Sequence, residues 1–283
     1  MTNSANKLKQ LCEEKHPSWM GILNMTPDSF SDGGLFENVN SALRRAEQLI
    51  AGGADLLDIG GVSTRPGSEP VSEQEELSRI LPIALNIRKN FPNILLSIDT
   101  FRPGIARALA EEGLVDLIND IYAGRIEEKR FQKLRTTIEV AHHFGLGIVL
   151  MHMQGEPKTM QQNPHYKNCI EEVCSFLRER ASVASRMGVK FIAVDAGIGF
   201  GKRLQDNLAL LSQSGIQACA NLGYPLLVGL SRKRFLGELF HYDNEDMSIP
   251  PNRDKRSKEL EWRCAELGAT IIRSHKTPEE KET

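Results

Sequence analysis

Eight short apolar runs, each closing on polar residues, recur along this chain: Met20 to Leu23, Ala54 to Ile59, Ile94 to Ile98, Val115 to Ile118, Gly147 to Met151, Phe191 to Val194, Pro225 to Leu230 and Thr270 to Ile272. Runs this short and this rich in Ile, Leu and Val suit parallel strands buried on both faces. Helical periodicity separates most of them. Val39, Ala42, Leu43, Ala46, Leu49 and Ile50 share one helical face, and Gly52-Gly53 then ends that helix. Arg102-Pro103-Gly104 opens another, with Pro in the first turn, running to Gly113. Strands and helices in this alternation predict an α/β fold, a closed (β/α)8 barrel. The alternative, an open doubly wound sheet, would normally carry a Gly-rich phosphate turn after its first strand. The segment that follows the first run here, LNMTPDSFSDGG, contains no G-x-G-x-x-G.

A barrel of this kind needs about 250 residues, so a single domain over 19–283 with an N-terminal extension over 1–18 accounts for the 283 residues. The net charge of −2 and the interspersed signs lack the basic stripe of a nucleic-acid binder. Arg253 to Lys258 is locally basic and reads as a solvated loop, part of a long polar loop over His241 to Lys258. The five cysteines, Cys12, Cys169, Cys174, Cys219 and Cys264, are odd in number and form no C-x-x-C pair. That suits a reduced cytoplasmic protein. Asn3 to His16 is too polar for a signal peptide, and nothing approaches the roughly 18 apolar residues of a membrane span. After the eighth strand only Lys276 to Thr283 remains, so the eighth helix is expected to be missing or truncated, although Thr277-Pro278-Glu279-Glu280 reads as a helix start. Leu8, Leu11 and Cys12 share one face of the N-terminal segment; they are expected to cover part of that gap or the barrel floor.

The strand ends supply Asn24, Asp58, Asp99, Asn119, His152, Asp195, Lys233, Arg273 and His275. In a barrel all of them converge on one rim, where loops build active sites. Singly, each has an ordinary reading as a helix cap or a turn residue; together they do not. Asp99, Asn119, Asp195 and Lys233 form a donor and acceptor set able to read a flat, hydrogen-bonding heterocycle. Asp195 can accept two N–H bonds from a guanidine-like edge, each worth roughly 1.5–3 kcal/mol when desolvated. Asn24, Arg65, Arg273 and His275 suit an anion instead, Arg273 as a fork and Asn24 as an oxygen ligand for Mg²⁺. The first loop, LNMTPDSFSDGG, has the hydroxyls, carboxylates and glycines of a ligand-gripping segment. His152 reads as a hydrogen-bonded rim residue, and His142-His143 lies on a helix facing away from the rim.

Eight segments in order carry a resemblance to the dihydropteroate synthases: LNMTPDSFSDGG, DIGGVSTRPGSEPVSEQEELSRILPI, SIDTFRPGIA, INDI, LMHMQGEPKTMQQNPHY, DAGIGFGK, GLSRKRFLG and GATIIRSH, spanning about residues 19 to 275. The resemblance implies a folate-pathway transferase, usually a homodimer, whose barrel joins 6-hydroxymethyl-7,8-dihydropterin diphosphate to 4-aminobenzoate with loss of diphosphate. Sulfonamides compete for the aminobenzoate position. It implies a pterin pocket at Asp99, Asn119, Asp195 and Lys233, and a diphosphate site at Asn24, Thr64, Arg273 and His275, with Asn24 near Mg²⁺. Phe30, Arg65, Pro66, Phe200 and Ser231 match the wall that receives the aminobenzoate. Asp99, Lys233, Arg273 and His275 are the residues it would make catalytic, by electrostatics and positioning in a dissociative transfer. Three features depart from the family pattern: Ala196 stands where Pro is usual, Lys276 where an acidic residue is common, and the eighth helix is expected to be lacking. The nearest alternatives are a pterin-binding methyltransferase-type domain and a non-catalytic pterin binder. The methyltransferase-type domain needs no diphosphate grip or aminobenzoate wall.

Overall fold

The computed structural model describes residues 4–14, 17–24, 35–62, 71–241 and 246–279. Eight parallel strands close a barrel in chain order: β1 (Ser18–Asn24), β2 (Leu56–Gly60), β3 (Leu95–Asp99), β4 (Leu117–Asp120), β5 (Gly147–Met151), β6 (Phe191–Asp195), β7 (Leu226–Val228) and β8 (Ile271–Ser274). The barrel shuts where β1 pairs with β8, Met20 opposite Arg273. Ten α-helices are described: α1 (Ser4–Glu14), α2 (Leu35–Ala51), α3 (Glu73–Asn90), α4 (Pro103–Glu111), α5 (Thr137–Phe144), α6 (Cys169–Met187), α7 (Leu204–Leu211), α8 (Gln213–Ala220), α9 (Arg234–Leu239) and α10 (Asp254–Glu266). The expected barrel and its eight strands are all present.

Successive strand residues face opposite sides, and this alternation builds two cores. Leu57, Ile59, Leu96, Ile98, Ile118, Ile148, Leu150, Ile192, Val194, Val228 and Ile272 face outward and pack beneath the helices. Met20, Leu56, Leu95, Leu117, Val149, Phe191, Leu227 and Ile271 face inward and form a separate cluster with Ala5, Leu8 and Cys12 of α1. Helix α1 therefore closes the barrel floor, as its apolar face predicts. It is pinned there by Ser4, whose hydroxyl donates to Asp116 at 2.8 Å, and by the Ala5 amide on the Gly145 carbonyl at 3.3 Å. Gly147, the first residue of β5, makes that docking possible: a Cβ there would lie 2.6 Å from Leu8 Cδ1 and 2.8 Å from Phe191 Cδ1.

Two expectations are corrected. The stretch over His241 to Lys258 is not a long loop throughout: a short 3₁₀ turn (Pro250–Arg253) leads into α10, which begins at Asp254. Nor is its basic run simply solvated. Arg253 is buried, donating to the carbonyls of Met247 (2.6 Å), Arg232 (2.9 Å) and Ser248 (2.7 Å). Arg232 grips Asp254 with Nε and Nη2, each at 2.8 Å. Beyond β8 no helix follows among the described residues; the Glu279 amide donates to the Gly52 carbonyl at 3.0 Å. On that side of the barrel Trp262 of α10 stands edge-on to Trp19 of β1, ring centres 5.3 Å apart.

Leu8 is fully buried among floor residues from several strands. Truncating it leaves a cavity that the strands cannot collapse into, so Leu8→Ala should cost about 2–5 kcal/mol in urea unfolding. An unchanged midpoint would mean that α1 is not docked in solution.

Candidate active site

The inward lines that are apolar at the floor turn polar at the opposite rim. Leu56 is followed two residues on by Asp58, Leu95 by Ser97 and Asp99, Leu117 by Asn119, Ala193 by Asp195, and Ile271 by Arg273 and His275. Strand pairing sets Asp58 beside Ser97 and Asp99 beside Asn119. A single alternation thus delivers most of the predicted rim residues to one mouth.

Arg273 stands at its centre. Its Nε donates to Asp58 Oδ2 at 2.6 Å and its Nη2 to Asp99 Oδ2 at 2.8 Å, so two of its five N–H groups join carboxylates from different strands. Asn119 Nδ2 donates to the same Asp58 oxygen at 3.0 Å. Asp58 is fully buried, and its Oδ1 has no hydrogen-bond partner among the described residues. Burial pushes the Asp99 carboxyl up to about 7, against the pull of Arg273 and with further upward pressure from Asp58. Asp58 was visible in the sequence as a strand-end polar residue but not as a site residue. The signal for it was its place on the same inward line as Leu56.

Asp195 and Lys233 face each other across the β6–β7 side. Burial raises the Asp195 carboxyl, while Lys233 and the Gly197 amide, at 2.7 Å from Oδ1, favour its charge. Burial lowers the Lys233 ammonium to about 8, against the pull of Asp195. Lys233 Nζ donates to the Ile198 carbonyl and sits 4.9 Å from the centre of the Phe200 ring. The predicted ring reader and one predicted wall residue are therefore in direct contact.

The loop from Gly197 to Lys202 that presents Phe200 folds over a group absent from the expectations. Lys202 is buried and donates to His152 Nδ1 (3.0 Å), to the Gly197 carbonyl (2.9 Å) and to the Phe200 carbonyl (3.0 Å). Burial and Lys202 hold His152 down at about 3, so the ring is neutral and its bare Nδ1 accepts. His152 is a hydrogen-bonded rim residue, as read from the sequence. Gly197 permits this tie. Its φ is +64°, and a Cβ would fall 1.9 Å from the His152 carbonyl oxygen.

Ser231 and His275 form a second pair. The Ser231 Oγ accepts the His275 amide at 3.1 Å and lies 2.9 Å from the ring Nδ1. Behind them Glu261 of α10 is fully buried and both its oxygens lack a bonded partner of normal geometry. Burial pushes it up to about 8, although the Ser274 hydroxyl and Leu230 amide nearby favour the charge. Asn24, at the end of β1, is half-buried, and Gly60 leaves room for it: a Cβ there would approach Asn24 Oδ1 to 3.1 Å. Phe30, Thr64, Arg65 and Pro66 lie outside the described residues. His142 and His143 are exposed on α5, away from the mouth.

Lys202 binds its proton less readily in the fold, at about 7 against 10.5 for a free lysine, because of burial. The unfolded chain therefore holds more protons between those values, and stability should rise with pH across that window. Lys202→Met should shrink this rise, and its three orphaned acceptors should cost about 1–3 kcal/mol near neutral pH. Thermal unfolding at several pH values checks both; an identical slope in the variant would mean that burial does not lower the Lys202 ammonium.

Comparison with known proteins agrees with this geometry. The pterin-binding enzyme family matches residues 20–275. The dihydropteroate synthase of Haemophilus influenzae is 42% identical over 223 residues, 78% of this chain and 77% of that protein. The Xanthomonas albilineans dihydropteroate synthase with 4-aminobenzoic acid superposes with a TM-score of 0.80 at 37% identity, covering 94% of this chain and 90% of that one. The Yersinia pestis dihydropteroate synthase in complex with a sulfonamide drug gives 0.79 at 38% identity, with coverage of 94% and 90%. With this family match over nearly its whole length, the chain belongs to the pterin-binding enzymes and, among them, to the dihydropteroate synthases.

Proposed function

We propose that this chain condenses 6-hydroxymethyl-7,8-dihydropterin diphosphate with 4-aminobenzoate, giving 7,8-dihydropteroate and diphosphate. The observation that carries the reading is Arg273 fixed between Asp58 and Asp99, in a mouth that also collects Asn119, Asp195, Lys233 and His275. A ring reader beside an anion grip suits a heterocycle whose leaving group is phosphorylated.

In this reading Asp195 accepts N–H bonds from the pterin edge while Asn119 and Lys233 fix the ring in register. Arg273 keeps N–H groups beyond the two it gives to carboxylates, and with His275 it takes up charge as the methylene C–O bond breaks and diphosphate leaves with the electron pair. Asp99, ionised and held by Arg273, stabilises the methylene-pterin cation left behind. The arylamine nitrogen is already uncharged at neutral pH, so its lone pair forms the new C–N bond and its surplus proton passes to solvent. No strong base is required. Phe200, Ser231, Phe30, Arg65 and Pro66 are the proposed aminobenzoate wall, and Thr64 a diphosphate contact.

The donor set fits Mg²⁺. Asn24 offers a neutral oxygen at the rim, with space beside it at Gly60, and Mg²⁺ typically takes few protein ligands alongside phosphate oxygens and water. When bound it would draw charge from the departing diphosphate. A homodimer and a cytoplasmic location belong to the same reading. The location is supported by five free thiols and by the lack, among the described residues, of a helix long and apolar enough to cross a membrane.

Incubation with Mg²⁺, the dihydropterin diphosphate and labelled 4-aminobenzoate should yield dihydropteroate on chromatography. Product should vanish with EDTA, fall with a sulfonamide and be absent for Asp195→Ala, which should also lose pterin binding in calorimetry. Pterin binding without product in the native chain would make it a binder and overturn the reaction.

A pH profile separates the roles. kcat/KM reports the free enzyme, so it should rise through about 7 as Asp99 loses its proton and fall through about 8 as Lys233 loses its own. A flat profile across that window would remove both groups from the assigned roles.

A further inference from the structure

Cys174 on α6 and Cys219 on α8 face each other with their sulfurs 3.8 Å apart, and both side chains are buried in the outer core. Neither belongs to the mouth of the barrel. Their contact is not sealed from solvent: a cleft of about 570 Å³, lined by Asn168, Glu171, Cys174, Arg178 and Ala218 among others, opens at Cys174. That is ample for a small oxidant, since one water occupies about 30 Å³.

We propose that Cys174 and Cys219 form a redox modification site, in which a hydroperoxide entering by this cleft converts the two thiols to a disulfide stapling α6 to α8. The Cys174 thiolate attacks one peroxide oxygen, the O–O bond breaks, and Cys174 becomes a sulfenic acid while the other oxygen leaves and is protonated. The Cys219 sulfur then attacks the sulfenic sulfur, expelling water and closing the S–S bond. Two thiols are oxidised, one hydroperoxide is reduced, and with hydrogen peroxide two waters leave.

The environment favours this order. A hydrogen bond from Cys219 and the charge of Arg178 hold the Cys174 thiol below the usual thiol range, against its burial, while the same contact raises Cys219. A lowered thiol beside the opening is the natural attacker, and its buried neighbour is the resolving group. Cys12 sits in the floor cluster, and no sulfur contact is found for Cys12, Cys169 or Cys264 among the described residues. The staple would join residues 45 apart in the chain. It would tie the helix that leads into β6, which delivers Asp195, to the one that leads into β7, after which Ser231 and Lys233 follow at the same rim.

The test is peptide mapping by mass spectrometry after graded hydrogen peroxide. The expected result is one cross-linked peptide pair, Cys174 with Cys219, a mass loss of two hydrogens, reversal by a thiol reductant, and a melting temperature higher by roughly 5 °C or more. Cys219→Ser should instead accumulate a Cys174 sulfenic acid that dimedone captures, and should show no rise in melting temperature. Cys174→Ser should leave Cys219 unmodified at the same dose. Five free thiols after peroxide treatment of the native chain would overturn the proposal. So would a link to any other cysteine, or capture at Cys219 in place of Cys174.

Discussion

A closed parallel barrel imposes one constraint from which most of this molecule follows. Each inward line of side chains must fill the floor at one end and meet solvent at the other, within strands of three to seven residues. There is no room for a gradual change. Leu56 and Asp58 are two residues apart on one line, as are Leu117 and Asn119, so a charged layer rests directly on an apolar one. The rim groups are consequently desolvated on their lower side, and the field between them is far stronger than it would be in water.

That position accounts for the pattern of charge at the mouth. A fully buried and a half-buried carboxylate on neighbouring strands repel each other, and Arg273 resolves the conflict by bonding both. Lys233 does the same for Asp195 at longer range. Desolvation offsets much of what such pairs return, so the cluster is weak as a source of stability. Its value is geometric, since Asp58, Asp99 and Asn119 are fixed to one another through a single guanidinium and a shared oxygen. Catalysis by positioned charge gains most from groups whose reorganisation has already been completed by folding.

The features legible in the sequence were those set by local period and residue type. Short continuous runs of Ile, Leu and Val marked the strands, and the polar residues at their ends marked the rim. What escaped was set by contacts distant in the chain. Asp58 was placed at the rim with the other strand-end residues, but its bond to Arg273, 215 residues on, is seen only in the fold. Lys202 was not singled out, because its acceptor on His152 comes from the far end of another strand, 50 residues away. The start of α10 was hidden by its charges, whose partners Arg232 and Met247 are not helix neighbours. Apolar spacing did identify the docking face of α1, since three residues on one face suffice for that.

The floor helix has a consequence for how the chain acquires its structure during synthesis. Helix α1 precedes every strand, yet its docking site includes Ile271, in the final strand. It leaves the ribosome before any strand of the barrel, yet it is among the last of these elements to find its place. Until then its apolar face has no floor to cover, and the strand bottoms have no lid. The interval between translation of α1 and closure of β8 on β1 is therefore a window of exposure in which chaperone capture competes with barrel completion.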